Sequence, residues 1–237
     1  MRSDAKETSI RSWFDRLYTT RQDRSMRPPA AYLNFLHYLP WQKGMRLLDV
    51  GCGTGWLLKA ASEEGLQTCG IDLSAAAVQL SRKNSPASIV EVAGVTKIPF
   101  PDHTFDLISC IGVLEHFTEL EKSIAELKRV ARRGAHFCIM VPNSRTLYWK
   151  IWQVFSKEHR ESNENALSLK QWQELFLQQR FTILQIGRDE WRLQRIVSLV
   201  GIKSESQTYQ MVKKMVWNLI PLSRAQQFIF ILTADSR

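Results

Sequence analysis

The sequence predicts an α/β fold built on a mostly parallel, doubly wound sheet, and three observations support this prediction. The mostly apolar run 47–50 is followed at once by a glycine-rich loop. Strand-like and helix-like segments then alternate along the chain, which is typical of a parallel sheet covered by helices. Asp72 ends the second apolar run at a distance from Asp49 that fits one strand–helix–strand unit.

Seven short segments have the character of strands. The fourth is apolar almost throughout, as expected of a parallel strand that is covered on both faces. The predicted strands lie at residues 45–50, 67–72, 88–93, 105–111, 135–141, 181–188 and 226–233.

Helices are predicted where apolar residues recur at helical spacing or follow capping residues. An N-terminal helical region is predicted over residues 8–39, in two stretches that two prolines separate. Ser74 is predicted to cap the helix after the second strand, and Thr118–Glu121 and Ser168–Gln171 have the spacing of capping boxes. Further helices are predicted at residues 56–64, 145–156 and within 207–220.

The composition is that of an ordinary globular chain with an excess of positive charge. The 237 residues are 44% hydrophobic and 23% charged, with a net charge of +9. The basic residues are scattered, which favours a solvated basic surface over a groove for a polyanion. The four cysteines lack C-x-x-C spacing, so we expect buried, reduced thiols in a cytoplasmic protein. We find no apolar signal core at the N-terminus and no run of the roughly 18–20 apolar residues that a transmembrane helix needs.

The glycine-rich loop indicates a bound ligand. Its pattern is G-x-G-x-G over residues 51–55, whereas dinucleotide-binding loops read G-x-G-x-x-G and hold a pyrophosphate. Asp49, just before the loop, disfavours a phosphate and favours a cationic or amino-bearing ligand. Asp72, at the end of the second strand, is placed to bind ribose hydroxyls.

Residues 46–55 resemble motif I of the class I S-adenosylmethionine-dependent methyltransferases. A second block, 98–108 followed by 113–116, resembles the type 11 branch, which includes enzymes that methylate ubiquinone, menaquinone and sterol precursors. The resemblance implies S-adenosyl-L-methionine as cofactor and a Rossmann-like, seven-stranded sheet with strand seven antiparallel beside strand five. We expect one methyltransferase domain over 1–237, with a helical extension (1–44), a cofactor-binding core (45–145) and substrate-side insertions with the closing strands (145–237).

The resemblance assigns cofactor-binding roles to residues of this chain. The loop residues and Asp49 would line the methionine part of the cofactor, Asp72 would bind the ribose, and Leu73 would pack on the adenine. Relatives of this branch commonly carry an acid after the third strand that binds the adenine amino group, but Val95 stands there, so backbone groups or Thr96 must replace it. The full set of expected cofactor residues is Asp49, Gly51, Cys52, Gly53, Thr54, Gly55, Asp72, Leu73, Val95, Thr96, Ile111 and Gly112, the last two beside the sulfonium.

Catalytic and acceptor-binding residues are expected after strands four and five. His116 is the candidate general base, because its ordinary pKa near 6.5 suits neutral pH; the alternative is that it only caps a helix or orients a loop. Tyr148, Trp149 and Trp152 are expected to line an apolar acceptor pocket, or else to pack in the core. Gly112 replaces the first glutamate of a Glu-x-x-Glu-His metal site known in some relatives, so we expect no metal.

The expected activity is therefore methyl transfer to a small, apolar or aromatic acceptor, with the methylated atom (O, N or C) left open. The net charge of +9 motivates an RNA or DNA methyltransferase as the alternative, but the Asn/Asp-Pro-Pro-Tyr signature of base-amino methylases is absent. A scaffold that keeps the fold without catalysis is a third hypothesis. The basic, amphipathic segment 209–220 indicates sheet packing, a homodimer contact or a peripheral membrane contact, so a monomer and a homodimer both remain open.

Overall fold

The computed structural model describes residues 2–22, 27, 29–147, 149–151, 165–191, 193, 199, 201, 206–215 and 219–234. Seven strands form one sheet in the order β3-β2-β1-β4-β5-β7-β6. The first five strands are parallel, and β7 pairs antiparallel with both β5 and β6. The strands are β1 Arg46–Val50, β2 Gln67–Asp72, β3 Ile89–Val92, β4 Phe105–Ile111, β5 Ala131–Pro142, β6 Phe181–Arg188 and β7 Gln227–Ala234. The predicted fold class, including antiparallel strand seven, is confirmed.

Helices cover both faces of the sheet, because each central strand buries alternate residues on opposite sides. The described helices are α1 Arg2–Arg21, α2 Ala30–Leu36, α3 Trp56–Glu63, α4 Ala75–Asn84, α5 Leu120–Val130, α6 Leu169–Gln178 and α7 Gln207–Met215. One face of the sheet packs on α2 and α3 through Leu47, Leu107 and Ile229, and the other face packs on α5 and α6 through Ile108 and Phe230.

The N-terminal helical extension is confirmed, and its first helix lies against the ligand-facing edge of the sheet. Asp15 of α1 accepts hydrogen bonds from the Ser74 hydroxyl at 2.5 Å and from the Ala76 backbone N–H at 3.3 Å. A carboxylate at the start of α4 is favourable because the first N–H groups of a helix lack partners within the helix. This contact ties α1 to the carboxyl ends of the strands.

Two of the three predicted capping motifs are confirmed. The Ser74 hydroxyl accepts from the Ala77 N–H, and Ser168 and Gln171 make both bonds of a capping box. The Thr118–Glu121 capping box is wrong, since α5 begins at Leu120 with Glu119 as its N-cap and has no side-chain cap bond. Thr118 therefore precedes the capping position by one residue.

Strand five begins four residues earlier than predicted, at Ala131. Ala131 pairs with Phe105, and the polar, exposed stretch 132–134 that follows gave no apolar strand signal. The predicted helix 145–156 is helical at residues 147 and 149–151, and 148 and 152–156 lie outside the described residues.

The amphipathic segment 209–220 is only partly packed. Tyr209 is buried beside Leu193, whereas Met211, Met215 and Leu219 are exposed. Membrane contact and dimerisation through this segment therefore stay predictions. No helix within the described ranges has the length and apolarity needed to cross a membrane.

Candidate functional site

A cavity of about 340 Å³ lies at the carboxyl ends of the central strands, beneath α1. This is the edge where ligands bind in doubly wound sheets. Of the twelve expected cofactor residues, all but Gly55 line the cavity. Gly55 instead caps α3 with φ +80, and a Cβ on it would lie 2.4 Å from the Ser81 hydroxyl, so it allows α3 and α4 to pack closely.

Asp49 is a buried carboxylate at the end of β1. Its side chain accepts a hydrogen bond of 2.7 Å from the hydroxyl of Ser109, its register partner on β4. Burial raises the Asp49 pKa to about 7; the Ser109 bond opposes this shift and the charge of Asp72 adds to it. A neighbouring cation would favour the ionised form, so the site suits a positively charged ligand group.

Asp72 holds the glycine-rich loop and the start of α4 together. One carboxylate oxygen accepts from the Gly53 N–H and the other from the Ser74 N–H, both at 2.9 Å. Burial raises its pKa to about 6, against the lowering effect of these two bonds, and the charge of Asp15 contributes to the rise. The carboxylate is therefore fixed at the cavity edge before any ligand binds.

Helix α1 covers the cavity with aromatic and aliphatic side chains. Trp13, Phe14, Leu17 and Tyr18 all line it. A Cβ on Gly53, whose φ is +52, would lie 2.8 Å from the Tyr18 hydroxyl, so only glycine permits this close approach. Burial and the charge of Asp72 raise the Tyr18 pKa well above its ordinary value, which keeps the phenol protonated.

The end of the cavity beyond β4 carries groups that can exchange protons. A 3-10 turn, Leu114–His116, places Glu115 and His116 in the cavity lining. The Phe14 ring meets the His116 ring edge to face at 5.3 Å. The Glu115 carboxylate is buried and lies 3.8 Å from the point that a Cβ on Gly112 would occupy.

Trp149 is buried, at 6% exposure, lines the cavity and follows β5, the strand beside β4 in the sheet. Tyr148 and Trp152, the other two residues expected to contact the acceptor, lie outside the described residues. Arg27 also lines this end, and its guanidinium donates to Asp189 and Gln227 at 2.5 Å. The acceptor end therefore combines apolar surface with one buried, ion-paired cation.

The sequence did not identify several of these lining residues. Helical spacing marked Ile10, Trp13, Phe14 and Leu17 as one apolar face, but that pattern does not tell which surface the face contacts. Glu7 and Arg27 belong to no sequence motif, and Glu115 lies in the block 113–116 without an assigned role in cofactor or acceptor binding.

Within the described part of the chain, no three His, Cys, Asp or Glu side chains form a group that could hold a metal ion. That the protein needs no metal stays a prediction. All four cysteines are buried and free, as predicted, and burial raises the pKa values of their thiols.

Comparison with known proteins agrees with this geometry. Residues 48–139 match a family model described as a methyltransferase domain. Ajmaline N-methyltransferase of Rauvolfia serpentina is 31% identical over 140 residues, which cover 56% of this chain and 48% of that protein. The "Probable tRNA methyltransferase 9B" of Bos taurus is 32% identical over 131 residues, which cover 55% of this chain and 26% of that protein.

The fold has solved counterparts. A structure of the complex between the Haloferax volcanii Trm112 methyltransferase activator and a methyltransferase aligns with a TM-score of 0.71 at 17% identity, over 96% of this chain and 98% of that chain. At this identity the match concerns the fold alone.

The chain spans about half or less of the length of the two curated relatives above. Residues 48–139 match the methyltransferase-domain model, and the chain has the fold of the aligned structure.

Replacing Asp49 by Asn should stabilise the ligand-free protein more at pH 8 than at pH 5. The folded-state pKa of Asp49 is about 7, above its ordinary 3.8, so the native state binds more protons than the unfolded state between these values and stability falls as pH rises. The variant removes this penalty, which grows by about 2.6 kcal/mol from pH 5 to pH 8, since about two pH units count at 1.36 kcal/mol each.

Thermal unfolding at the two pH values measures the effect. We expect the gain in midpoint to be several degrees larger at pH 8, since about 1 kcal/mol shifts a protein of this size by 2–4 °C. Asp102→Asn, in an exposed ion pair with Arg129, is the control and should change little at either pH. An equal effect of Asp49→Asn at both pH values would show that Asp49 titrates normally.

Proposed function

We propose that this chain, with its methyltransferase domain at residues 48–139, transfers a methyl group from S-adenosyl-L-methionine to a small acceptor with an apolar or aromatic surface. The observation that carries the proposal is the pair of buried acids beneath the glycine-rich loop. Asp72 is fixed by two backbone N–H groups at the end of β2, and Asp49 lies at the end of the adjacent β1.

The lining residues fit this cofactor chemically. Asp72 presents acceptor oxygens of the kind that ribose hydroxyls need, and Asp49 suits a cationic group because a nearby cation would stabilise its ionised form. Gly53 leaves the loop backbone accessible at the cavity surface. The bound cofactor supplies an activated methyl group on a sulfonium, and the protein has to position the acceptor in line with the carbon–sulfur bond.

Positioning and exclusion of water account for most of the required catalysis. Well-oriented reactants alone are worth about 7–11 kcal/mol. Helix α1 covers the cavity with Phe14 and Leu17, and Met140 and Trp149 line the acceptor end. These side chains exclude water and offer a shaped apolar surface, which supports an apolar or aromatic acceptor.

His116 is the proposed general base for an acceptor that must lose a proton. Its ring is oriented by edge contact with Phe14, and the buried Glu115 precedes it in the same 3-10 turn. An acceptor such as a tertiary amine would need no base, and His116 would then only shape the site.

A tRNA or other RNA substrate is the second candidate. It is favoured by the similarity to the cattle protein named for tRNA methylation and by the net charge of +9. Binding of unmodified tRNA that weakens steeply between 50 and 200 mM salt, together with methyl transfer to it, would support this candidate over a small acceptor.

The protein should bind S-adenosylhomocysteine, and Asp72→Ala should weaken binding about tenfold to a hundredfold. This range corresponds to roughly 1.5–3 kcal/mol for hydrogen bonds to a charged group. Isothermal calorimetry measures it, with circular dichroism to verify folding and Asp102→Ala as the surface control. No heat from folded wild-type protein would contradict the cofactor assignment, and unchanged affinity in Asp72→Ala would place the ribose elsewhere.

Trp149→Phe and Trp149→Ala should raise the acceptor KM or lower kcat while affinity for S-adenosylhomocysteine changes less than about threefold, or 0.7 kcal/mol. Radiolabelled methyl transfer to small molecules from cell-extract fractions identifies the acceptor for this assay. Trp172→Phe is the control for loss of a buried indole, because Trp172 is also buried but packs in the core on α6 and donates to the Pro142 carbonyl rather than lining the cavity. Full activity in both Trp149 variants would place the acceptor elsewhere, and unfolding of both would make Trp149 a core residue.

A further inference from the structure

The loop after β3 lacks an acid, although it lines the cavity. Its residues, Gly94, Val95 and Thr96, are half-buried and lie beside Leu73 at the end of β2. Val95 and Thr96 offer no negative charge to a ligand at this end. Any carboxylate there has to come from another part of the chain.

Helix α1 brings such a carboxylate to the loop. A Cβ built on Gly94 would lie 2.8 Å from Oε1 and 3.6 Å from Cδ of Glu7, and 3.8 Å from Cδ1 of Leu73. Glu7 is half-buried and lines the cavity together with these residues. The carboxylate therefore lies directly against the backbone of the acid-free loop.

The position of Glu7 follows from how α1 is held. Asp15, two turns further along the helix, bonds the start of α4, and Tyr18 closes over Gly53. Eight residues of helix span about 12 Å, so the anchored half of α1 fixes where Glu7 meets the loop. Because Gly94 has no side chain, the carboxylate can approach the loop closely.

The two ends of the cavity have different chemistry. Asp72, Leu73 and the loop after β3, which Glu7 approaches, follow β2 and β3 on one side of β1. His116 and Trp149 follow β4 and β5 on the other side of β1. An ionised carboxylate only accepts hydrogen bonds, so it favours a ligand edge that donates and disfavours one that presents a carbonyl oxygen.

We propose that Glu7 accepts a hydrogen bond from the exocyclic amino group of the adenine and so selects the adenine base of the cofactor. This inference rests on the proposed function, because it assumes that the nucleoside lies between Asp72 and the loop after β3. Glu7 would replace, from a separate helix, the acid that Val95 does not provide.

The test compares S-adenosylhomocysteine with S-inosylhomocysteine, in which a carbonyl oxygen replaces the amino group and the neighbouring N1 carries a hydrogen. Both ligands carry the same charge, so general electrostatic effects of a substitution cancel in the ratio of their Kd values. We expect wild-type protein to prefer the amino ligand at least tenfold. Glu7→Gln, whose amide both donates and accepts, should reduce this preference to about twofold or less.

Glu7→Ala should also lose the preference, and Glu121→Gln, on the exposed side of α5, should keep it. Circular dichroism and the unfolding midpoint verify that the variants fold. A wild-type preference for the amino ligand below twofold, or a preference that survives in Glu7→Gln and Glu7→Ala, would overturn the proposed role of Glu7 but not the proposed function. Absence of S-adenosylhomocysteine binding to wild-type protein would instead overturn the proposed function.

Discussion

The burial of two carboxylates at the ends of adjacent parallel strands is the constraint on which the rest of the site depends. Asp49 and Asp72 each lose hydration, which raises both pKa values; the charge of Asp72 adds to the rise at Asp49, and the charge of Asp15 adds to the rise at Asp72. Hydrogen bonds from Ser109, Gly53 and Ser74 offset only part of that cost. A ligand that brings a positive charge and hydroxyl donors would offset the rest of this cost. The arrangement therefore indicates ligand binding rather than structural support.

Helix α1 increases the cost of burying Asp49 and Asp72. The helix buries an apolar face, but the surface beneath it is a cavity and not a packed core. Its anchoring residue, Asp15, contributes a third negative charge near Asp72 while it satisfies the first turn of α4. The side chains that cover the cavity also bury these acids and would contact the ligands, so the cost of the buried acids and the strength of ligand binding have a common origin.

The sequence predicts the features that depend on local interactions and fails for those that depend on distant ones. The mostly parallel sheet, the antiparallel strand seven beside strand five, the Ser74 cap and the Ser168–Gln171 box were predicted correctly. Alternating segments, the family resemblance and residue spacing specify these features. The Thr118 cap failed because a 3-10 turn shifted the start of α5, which spacing alone does not show. The contact of Glu7 with Gly94 joins segments that are far apart in sequence, and no periodicity encodes which cavity an amphipathic helix covers.

Proton release on binding S-adenosyl-L-methionine tests the central claim most directly. Calorimetry at pH 6 in buffers of different ionisation enthalpy should show about 1 to 1.5 protons released per ligand, because Asp49 is mostly protonated and Asp72 about half protonated in the free protein. The release should decline as the pH rises to 8, where both acids are ionised before binding. Binding at pH 6 with no proton exchange, or with proton uptake, would contradict the account, because the buried acids would then not be the groups that meet the cationic ligand.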